Sequence, residues 1–286
     1  MIELILMGIF LGGVYAVMGL GFSLIFAGVR ETMNITHGAL AILGCYLCLL
    51  FAERGVDPLL SIVIVIPIMF ALGYAIQRGL INRVIYGNPN IVSIILLGLS
   101  VIIENTVLLV WTANPKSLTR YAPYAIQSIG IFGIRIPVNY LLNFCISIAT
   151  IIIFYLFLKK TYTGISIRAT SEDYVSAQFL GVNPKKSYAY TYGLGMIAAG
   201  IAGILMGLTF AFVPATSLDW LIIAFGVVVL GGLGSMRGVL AGGLILGLSH
   251  VLSAYYVGVQ YQLFIGYIVI LAVLALRPEG IFGYKV

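Results

Sequence analysis

The sequence predicts an all-α polytopic membrane protein, and three observations lead to this fold class. Of the 286 residues, 62% are hydrophobic, the mean hydropathy is +1.13 and only 8% are charged. Soluble domains carry about 25% charged residues. Apolar runs of about 20 residues recur along the chain, each long enough to cross a hydrocarbon layer of about 30 Å. We expect a single transmembrane domain, residues 1–286, in a lipid bilayer.

Apolar segments that are candidates for membrane spans follow one another closely. They cover residues 3–28, 35–52, 58–77, 91–112, 138–158, 188–213, 219–234, 239–256 and 259–276. A glycine-rich run separates the seventh segment from the eighth, so these two are either full crossings or half-spans. The sequence therefore predicts eight to nine transmembrane or half-spanning helices.

The loop between the fourth and fifth segments has a pattern of its own. It contains the run IGIFGIRIPVNY, in which apolar residues alternate with glycine and polar residues. Such alternation is typical of short paired strands. We expect a small hairpin in this loop.

Lysine and arginine are distributed unevenly between the loops. If the loops at 78–90 and 159–187 share a side with the C-terminal tail, that side holds Arg78, Arg83, Lys159, Lys160, Arg168, Lys185, Lys186, Arg277 and Lys285. The other side holds Arg54, Lys116, Arg120 and Arg135. Arg30 and Arg237 fall in short breaks at membrane depth and are not counted. Because cytoplasmic loops are rich in these residues, we expect the N-terminus outside and the C-terminus in the cytoplasm.

A polar loop at residues 159–187 holds seven of the 24 charged residues. A short helix is predicted inside it, over about 171–180. Thr170 and Asp173 have the spacing of a capping box, and Gly181 can adopt the left-handed conformation that ends a helix. The loop therefore contains a short capped helix outside the membrane.

The predicted helix has a small apolar stripe on a polar background. Tyr174, Val175 and Phe179 lie about one turn apart, while Glu172 favours the positive end of the helix dipole. A capped, partly apolar helix outside a membrane domain is typical of a docking surface. We expect it to bind a soluble partner.

The segment 31–44 is a polar break followed by an apolar run that begins at a glycine. Asn34, Thr36 and His37 stand among apolar neighbours, and Gly38 follows. Polar groups at membrane depth are costly unless they are paired, and they usually face the bundle interior or a water-filled cavity. We interpret the break as the lining of a substrate pathway. For His37 alone, the alternative is a hydrogen bond that holds neighbouring helices together.

A second break, at 233–247, resembles the first. Two matching breaks are compatible with an inverted repeat whose broken helices meet near the midplane, as in many transporters. The run GGLGSMRG at 231–238 lacks the GK[ST] ending of a phosphate-binding loop. Close helix packing around a break explains it better.

Glu104 and Asn105 fall in the middle of the fourth span. A carboxylate there costs a few kcal/mol by insertion scales, so it is protonated, paired or in contact with water. Glu104 is a candidate to contact a cationic group on the substrate, such as the ammonium of an amino acid. The alternative is a protonated glutamate that bonds a neighbouring helix.

Signatures of catalysis are missing from the sequence. It has no nucleophile–base pair, and Cys45, Cys48 and Cys145 lack neighbours at metal-ligand spacing, which favours packing thiols. We expect no metal, no cofactor and no enzymatic activity on this chain. The net charge of +6 is the ordinary cytoplasmic bias, so we expect no nucleic-acid partner.

Four stretches, in order along the chain, resemble one known family. They are GVYAVMGLGFSLIFAGVRETMNITHGALAILGCY (13–46), RATSEDYVSAQFLGVN (168–183), GGLGSMRGVLAGG (231–243) and RPEGIFG (277–283). Together they resemble the LivH-type permease subunits of branched-chain amino-acid ABC importers. The chain departs from that family at Glu104, where its members carry a neutral residue, often Gln, and some members move urea or short amides.

The resemblance implies a set of partners in the inner membrane of a prokaryote. These are a second, related permease that forms a heterodimer, two cytoplasmic ATPase subunits that carry ATP and Mg, and an external substrate-binding protein. The helix at 171–180 resembles the family's coupling helix, which sits in a groove of an ATPase. The residues at the matching positions are Glu172, Asp173, Ala177 and Gly181.

These observations predict the permease of an ATP-driven importer for branched-chain or similar apolar amino acids, working by alternating access. The passage would be lined by residues 34–38, the break at 231–238, Glu104 and Asn105. The alternative is a stand-alone channel or facilitator for a small polar solute such as urea or an amide. A facilitator needs no coupling helix, and the capped segment at 171–180 counts against it.

Overall fold

The computed structural model describes residues 1–30, 32–87, 89–131 and 134–283. Its helices are α1 (Ile2–Gly28), α2 (His37–Ala52), α3 (Pro58–Ile76), α4 (Asn82–Val84), α5 (Pro89–Trp111), α6 (Val138–Lys160), α7 (Tyr162–Glu172), α8 (Tyr174–Phe179), α9 (Pro184–Gly207), α10 (Ser217–Gly231), α11 (Met236–Tyr256) and α12 (Gln262–Leu276). Strands β1 (Ser128–Ile131) and β2 (Ile134–Pro137) form the predicted antiparallel hairpin.

Loops gather at two ends of the helix bundle. The basic end comprises Arg30 and residues 77–87, 161–183, 232–235 and 277–283. Hydrogen bonds connect these segments to one another and to the helix ends, such as Arg30 Nη1 to the Ile85 carbonyl (3.1 Å) and the Ile281 N–H to the Leu230 carbonyl (2.9 Å).

The hairpin end comprises Met1 and residues 53–57, 112–131, 134–137, 208–216 and 257–261. Here the Arg135 N–H donates to Glu3 (2.7 Å), and the Tyr124 hydroxyl donates to Asp57 (3.2 Å). The chain therefore starts at the hairpin end, while residues 277–283 lie at the basic end.

The predicted number of spans is confirmed. Eight helices of the described residues are long and apolar enough to cross a membrane, and α2 is a shorter apolar helix. Helix α11 runs between opposite ends of the bundle, because it begins beside Gly231, which meets the C-terminal tail, and ends with Tyr256 beside Met1. It is a full crossing rather than a half-span, whereas α2 and α10, whose first turns meet at Gly38 and Ser217, begin inside the bundle.

Basic residues concentrate at the end that the sequence predicts. Those at or beside the basic end are Arg30, Arg78, Arg83, Lys159, Lys160, Arg168, Lys185, Lys186, Arg237 and Arg277. Those at the hairpin end are Arg54, Lys116, Arg120 and Arg135. Arg30 bonds to Ile85, and Arg237 lies in the turn that meets the C-terminal tail, so both are at the basic end and the expectation that they lie at membrane depth is wrong. Lys285 lies outside the described residues.

Helices α1 and α9 form the buried centre of the bundle, while α5 and α12 lie at its periphery. Helix α1 crosses α11 with the two backbones in contact. A Cβ added at Gly247 would lie 2.4 Å from the Gly12 nitrogen, and one added at Gly12 would lie 2.7 Å from the Leu244 Cα. The glycines of these helices thus allow the close crossing that is typical of membrane helices.

Candidate functional site

Helix α2 begins inside the bundle rather than at its surface. The ring of His37, its first residue, makes a hydrogen bond of 3.0 Å from Nε2 to the Met18 carbonyl. Met18 lies ten residues before Gly28, the last residue of α1, which corresponds to about 15 Å along the helix axis. The chain therefore leaves α1 at the basic end and turns back into the bundle before α2 starts.

Four side chains form a hydrogen-bonded interior polar cluster: Asn34, Thr36, His37 and Tyr192, all fully buried. The Tyr192 hydroxyl donates to Asn34 Oδ1 at 2.7 Å, and the Thr36 hydroxyl donates to the same oxygen at 2.5 Å. The Asn34 amide faces His37 Nδ1 at 3.4 Å. Because the Met18 carbonyl can only accept, His37 carries its proton on Nε2, and the ring is neutral when Nδ1 accepts from Asn34.

The cluster satisfies the polar groups of the break at the depth where unpaired ones are most costly. Tyr192, on α9, was missed by the sequence analysis, although it stands in the tyrosine-rich run YAYTYG. The three predicted residues Asn34, Thr36 and His37 do come together. Their hydrogen bonds give His37 a part in holding the break, while its part in a pathway stays a prediction.

Replacing Tyr192 with phenylalanine is expected to lower the free energy of unfolding by about 1 kcal/mol, because Asn34 loses a buried hydrogen-bond donor. The apparent Tm of the purified protein in detergent should fall by roughly 2–4 °C. Tyr162→Phe is the control, since that side chain is exposed. Equal Tm values for the two variants would contradict the role given to the Tyr192 hydroxyl.

A second contact links the start of α2 to Glu104. A Cβ added at Gly38 would lie 2.0 Å from the Ser217 carbonyl oxygen, so α2 and α10 touch through their backbones here. The Ser217 hydroxyl donates to Glu104 Oε2 at 2.6 Å. Ser217, which the sequence analysis missed, thus joins Gly38 to the carboxylate on α5.

Asn105 points away from this contact. Its amide donates to the Val101 carbonyl of its own helix at 2.8 Å, and the residue is exposed. The structure therefore separates the two neighbours that the sequence analysis grouped. Glu104 is half-buried against α10, while Asn105 lies on the outer face of α5.

The glycine-rich run 231–238 lies at the basic end and is a close-packed turn, as predicted. A Cβ added at Gly231 would lie 2.2 Å from the backbone of Gly238, and the Phe282 N–H donates to the Gly231 carbonyl at 3.0 Å. Two of the stretches that carry the family resemblance, 231–243 and 277–283, therefore touch. Because this turn is not at mid-depth, the expectation that it meets the first break there is wrong, while its part in lining the passage stays a prediction.

The short helix of the polar loop differs from its predicted form. The segment predicted as one helix over 171–180 belongs to two helices. Helix α7 ends at Glu172, and α8 runs from Tyr174 to Phe179. Thr170 is not the cap, because it is buried within α7 and its hydroxyl donates to the Ser166 carbonyl. Glu172 ends α7 instead of opening α8, so it does not face the positive end of a dipole.

Asp173 is the N-cap of α8. Its Oδ1 accepts from the Val175 N–H at 2.9 Å, and its other oxygen accepts from the Ser176 hydroxyl. The Ser176 hydroxyl, followed by backbone N–H groups, lowers the pKa of the Asp173 carboxyl below its usual value. The cap therefore contributes fully above the ordinary aspartate pKa of about 3.9, and it is lost as the pH falls through the lowered value.

Asp173→Ala is expected to raise the hydrogen-exchange rate of the α8 amides several-fold at pH 7, because the first turn loses its acceptor. Asp173→Asn should have a smaller effect, since asparagine is an equally good N-cap. Glu172→Ala is the matched control, being an exposed neighbouring carboxylate outside the cap. Mass spectrometry of exchanged peptides measures the rates. Exchange as fast in Glu172→Ala as in Asp173→Ala would contradict this assignment.

The C-terminal turn of α8 exposes apolar side chains. Gly181 has φ = +85°, the left-handed conformation predicted for it. Phe179 and Leu180 are 87% and 83% exposed, whereas Ala177 is buried against the chain's own helices. The surface offered to a partner is therefore Phe179 and Leu180, and Ala177 seats α8 on the domain.

Comparison with known proteins agrees with this architecture. The family model described as "Branched-chain amino acid transport system / permease component" matches residues 4–274. The chain belongs to this permease family. Within the described residues, no group of three His, Cys, Asp or Glu side chains could hold a metal ion. Members of the family are transport components rather than catalytic subunits.

Relatives of this permease occur in bacteria and archaea. The high-affinity branched-chain amino acid permease BraD of Pseudomonas aeruginosa is 28% identical, covering 96% of this chain and 94% of BraD. LivH of Escherichia coli K12 is 26% identical over 96% of this chain and 93% of LivH. The probable LivH of Methanocaldococcus jannaschii is 29% identical over 87% of this chain and 82% of its own length.

The fold of this permease is also found among solved structures. The structure titled PsaBC from Streptococcus pneumoniae in complex with Fab superposes with a TM-score of 0.54 at 12% identity. The alignment covers 98% of this chain and 92% of that one. At this identity the likeness concerns the fold alone.

Proposed function

We propose that this chain is the permease subunit of an ATP-driven importer for branched-chain or similarly apolar amino acids. The observation that carries the proposal is the family match over residues 4–274. The relatives BraD and LivH are named as high-affinity branched-chain amino acid permeases, and this chain aligns with them over nearly their whole length. The exposed apolar tip of α8 supports the dependence on a separate ATPase, since a facilitator needs no such surface.

The basic end is proposed to face the cytoplasm of a prokaryotic cell. Cytoplasmic loops of inner-membrane proteins are enriched in Lys and Arg, and ten of the basic residues lie at or beside this end against four at the other. The N-terminus is then outside and the C-terminus inside. This orientation presents α8 to the cytoplasm and the hairpin end to an external substrate-binding protein.

Two cytoplasmic ATPase subunits, which carry the ATP and Mg, are the proposed partners of the basic end. Phe179 and Leu180 form a compact apolar projection on α8. Buried aromatic anchors contribute most of the binding energy in many interfaces. One such anchor fits a groove on one ATPase, and the second ATPase would dock on the second permease.

The outer face of α5 is proposed to contact that second permease, a different chain of the same family. Asn105 lies exposed in the middle of this apolar helix, between exposed side chains such as Val101 and Leu109. Polar residues in a span seldom face lipid and usually face protein or a water-filled cavity. An interface between the two permeases along α5 gives Asn105 such an environment.

The substrate is proposed to pass between the Glu104 side of α5 and the start of α2. Residues 34–38 are non-helical or begin a helix at mid-depth, and Ser217 connects Gly38 to Glu104. In alternating access, movement of α8 by the ATPases would shift α2 and α10 around this point. Glu104 is then placed to meet the ammonium group of an amino acid.

Uptake of labelled leucine into proteoliposomes that hold the full complex tests the function. Wild type is expected to accumulate leucine only when ATP is present on the side of the membrane where the ATPases are bound. Gly181→Val should reduce uptake at least tenfold, because a β-branched residue resists the left-handed conformation at φ = +85°. Gly79→Val is the matched control, since both glycines face open space but only Gly181 has a positive φ.

The same assay separates the alternatives. Uptake by this chain without ATP or partners would contradict the importer and favour a facilitator for urea or an amide. ATP-dependent uptake of a different solute would retain the mechanism and discard the substrate.

Replacing Glu104 with glutamine is expected to raise the KM for leucine about tenfold with little change in assembly. The reason is the loss of one charge opposite the substrate ammonium, for which about 1.4 kcal/mol corresponds to tenfold. Ser217→Ala, which removes the hydrogen bond but keeps the carboxylate, is the control. The kinetics of leucine uptake give the KM of both variants. An unchanged KM in Glu104→Gln would exclude contact between this side chain and the substrate.

A further inference from the structure

Arg30 lies between two tyrosine rings at the basic end. Its guanidinium carbon is 5.1 Å from the centroid of the Tyr86 ring and 4.9 Å from that of Tyr174. The two rings are 6.1 Å apart and inclined by 50°. Distances below about 6 Å are those of cation–π contacts, for which arginine is well suited. One guanidinium therefore joins two aromatic side chains that lie far apart in the sequence.

These contacts connect three parts of the molecule. Tyr174 is the first residue of α8, Tyr86 follows α4, and Arg30 lies two residues beyond the end of α1. The Arg30 Nη1 also donates to the Ile85 carbonyl at 3.1 Å, which links the guanidinium to the segment after α4. Lys185 in the first turn of α9 approaches the same Tyr86 ring at 5.6 Å.

Arg30 also begins the segment that re-enters the bundle. Asn34 is four residues further on, a reach of at most about 14 Å for an extended chain. Arg30 itself has φ = +48°, an uncommon conformation for a residue other than glycine. Its backbone conformation is therefore held by its surroundings, and only three residues separate it from Asn34 in the interior polar cluster.

We propose that Arg30 is a positioning residue that transmits the movement of α8 to the break at residues 32–36. Tyr174 moves with α8, the guanidinium follows the ring, and the chain after Arg30 carries the shift to Asn34 and its hydrogen bond with Tyr192. Tyr86 and the Ile85 carbonyl keep the guanidinium beside the Tyr174 ring, so that it follows α8. This inference rests on the proposed function, because it assumes that an ATPase moves α8.

The test compares leucine taken up with ATP hydrolysed in proteoliposomes that contain the complete complex. Tyr86→Leu removes one ring without altering α8, and Arg30→Gln removes the charge while keeping a donor for the Ile85 carbonyl. Both are expected to lower the ratio of leucine to ATP at least fivefold, with ATP hydrolysis within twofold of wild type. Tyr86→Phe keeps the ring and should retain the wild-type ratio.

A merely structural role predicts another outcome, since poorer folding lowers uptake and ATP hydrolysis together and leaves their ratio unchanged. A ratio within twofold of wild type in Tyr86→Leu and Arg30→Gln would overturn the proposal, as would equal effects of Tyr86→Leu and Tyr86→Phe. If Arg30→Gln fails to assemble, Tyr174→Leu and Tyr174→Phe test the same contact from α8. The leucine variant should lower the ratio of leucine to ATP, and the phenylalanine variant should retain it. Absence of ATP-driven uptake in wild type would instead contradict the importer itself.

Discussion

Gly38→Ala is expected to destabilise the permease and to abolish ATP-driven uptake. The added methyl group would lie 2.0 Å from the Ser217 carbonyl oxygen and 2.8 Å from the Leu221 nitrogen, both of which are backbone atoms. Neither can rotate away, so α2 and α10 must separate. Overpacking of this kind costs about 1–3 kcal/mol, and more where the backbone itself must move.

The apparent Tm in detergent measures this effect, and we expect a fall of roughly 5 °C or more. Gly98→Ala is the matched control, because Gly98 also lies within a membrane-spanning helix but has open space around its Cβ position. Alanine there should be neutral or should stabilise the helix by up to about 1 kcal/mol. A similar Tm for the two alanine variants would show that α2 and α10 are not in backbone contact.

Phe179→Ser is expected to uncouple the permease from its ATPase without affecting the fold. The side chain is 87% exposed, so it contributes little to the stability of this chain. Loss of a central aromatic anchor costs about 2 kcal/mol or more of binding energy. That corresponds to a roughly 30-fold weaker affinity for the ATPase.

Co-purification of the ATPases and ATP-driven uptake measure the result, and both should fall at least tenfold while the Tm of the permease stays unchanged. Ile126→Ser is the matched control, because Ile126 is 86% exposed at the opposite end of the bundle. We expect it to retain the ATPases. Normal ATPase binding by Phe179→Ser would place the docking surface elsewhere at the basic end.

The cap of α8 illustrates how far a local pattern can be trusted. The spacing of Thr170 and Asp173 matches a capping box, yet only Asp173 caps a helix. The Thr170 hydroxyl bonds to Ser166 inside α7, and its burial keeps it there. Packing therefore decided where α7 ends and α8 begins, and the spacing of two residues carries no information about packing.

The two polar breaks, at 31–44 and 233–247, also show that a local pattern does not reveal where a segment lies in the bundle. Both pair polar residues with glycine in the sequence, and they look alike. Residues 32–37 reach the interior because Tyr192 and Met18 offer partners there, while the glycines at 231–238 let the turn between α10 and α11 close against the C-terminal tail. Depth in the bundle depends on these partners, so the sequence could not distinguish the breaks.

The sequence by itself determined the fold class, the number of spans, the concentration of basic residues at one end of the bundle and the left-handed turn at Gly181. Each follows from local composition or from the conformational range of one residue, which does not depend on distant parts of the chain. Tertiary structure alone decided which polar groups meet. Asn34 pairs with Tyr192, Glu104 with Ser217 and Arg30 with Tyr86 and Tyr174, because helix packing brings together residues that lie more than 50 positions apart.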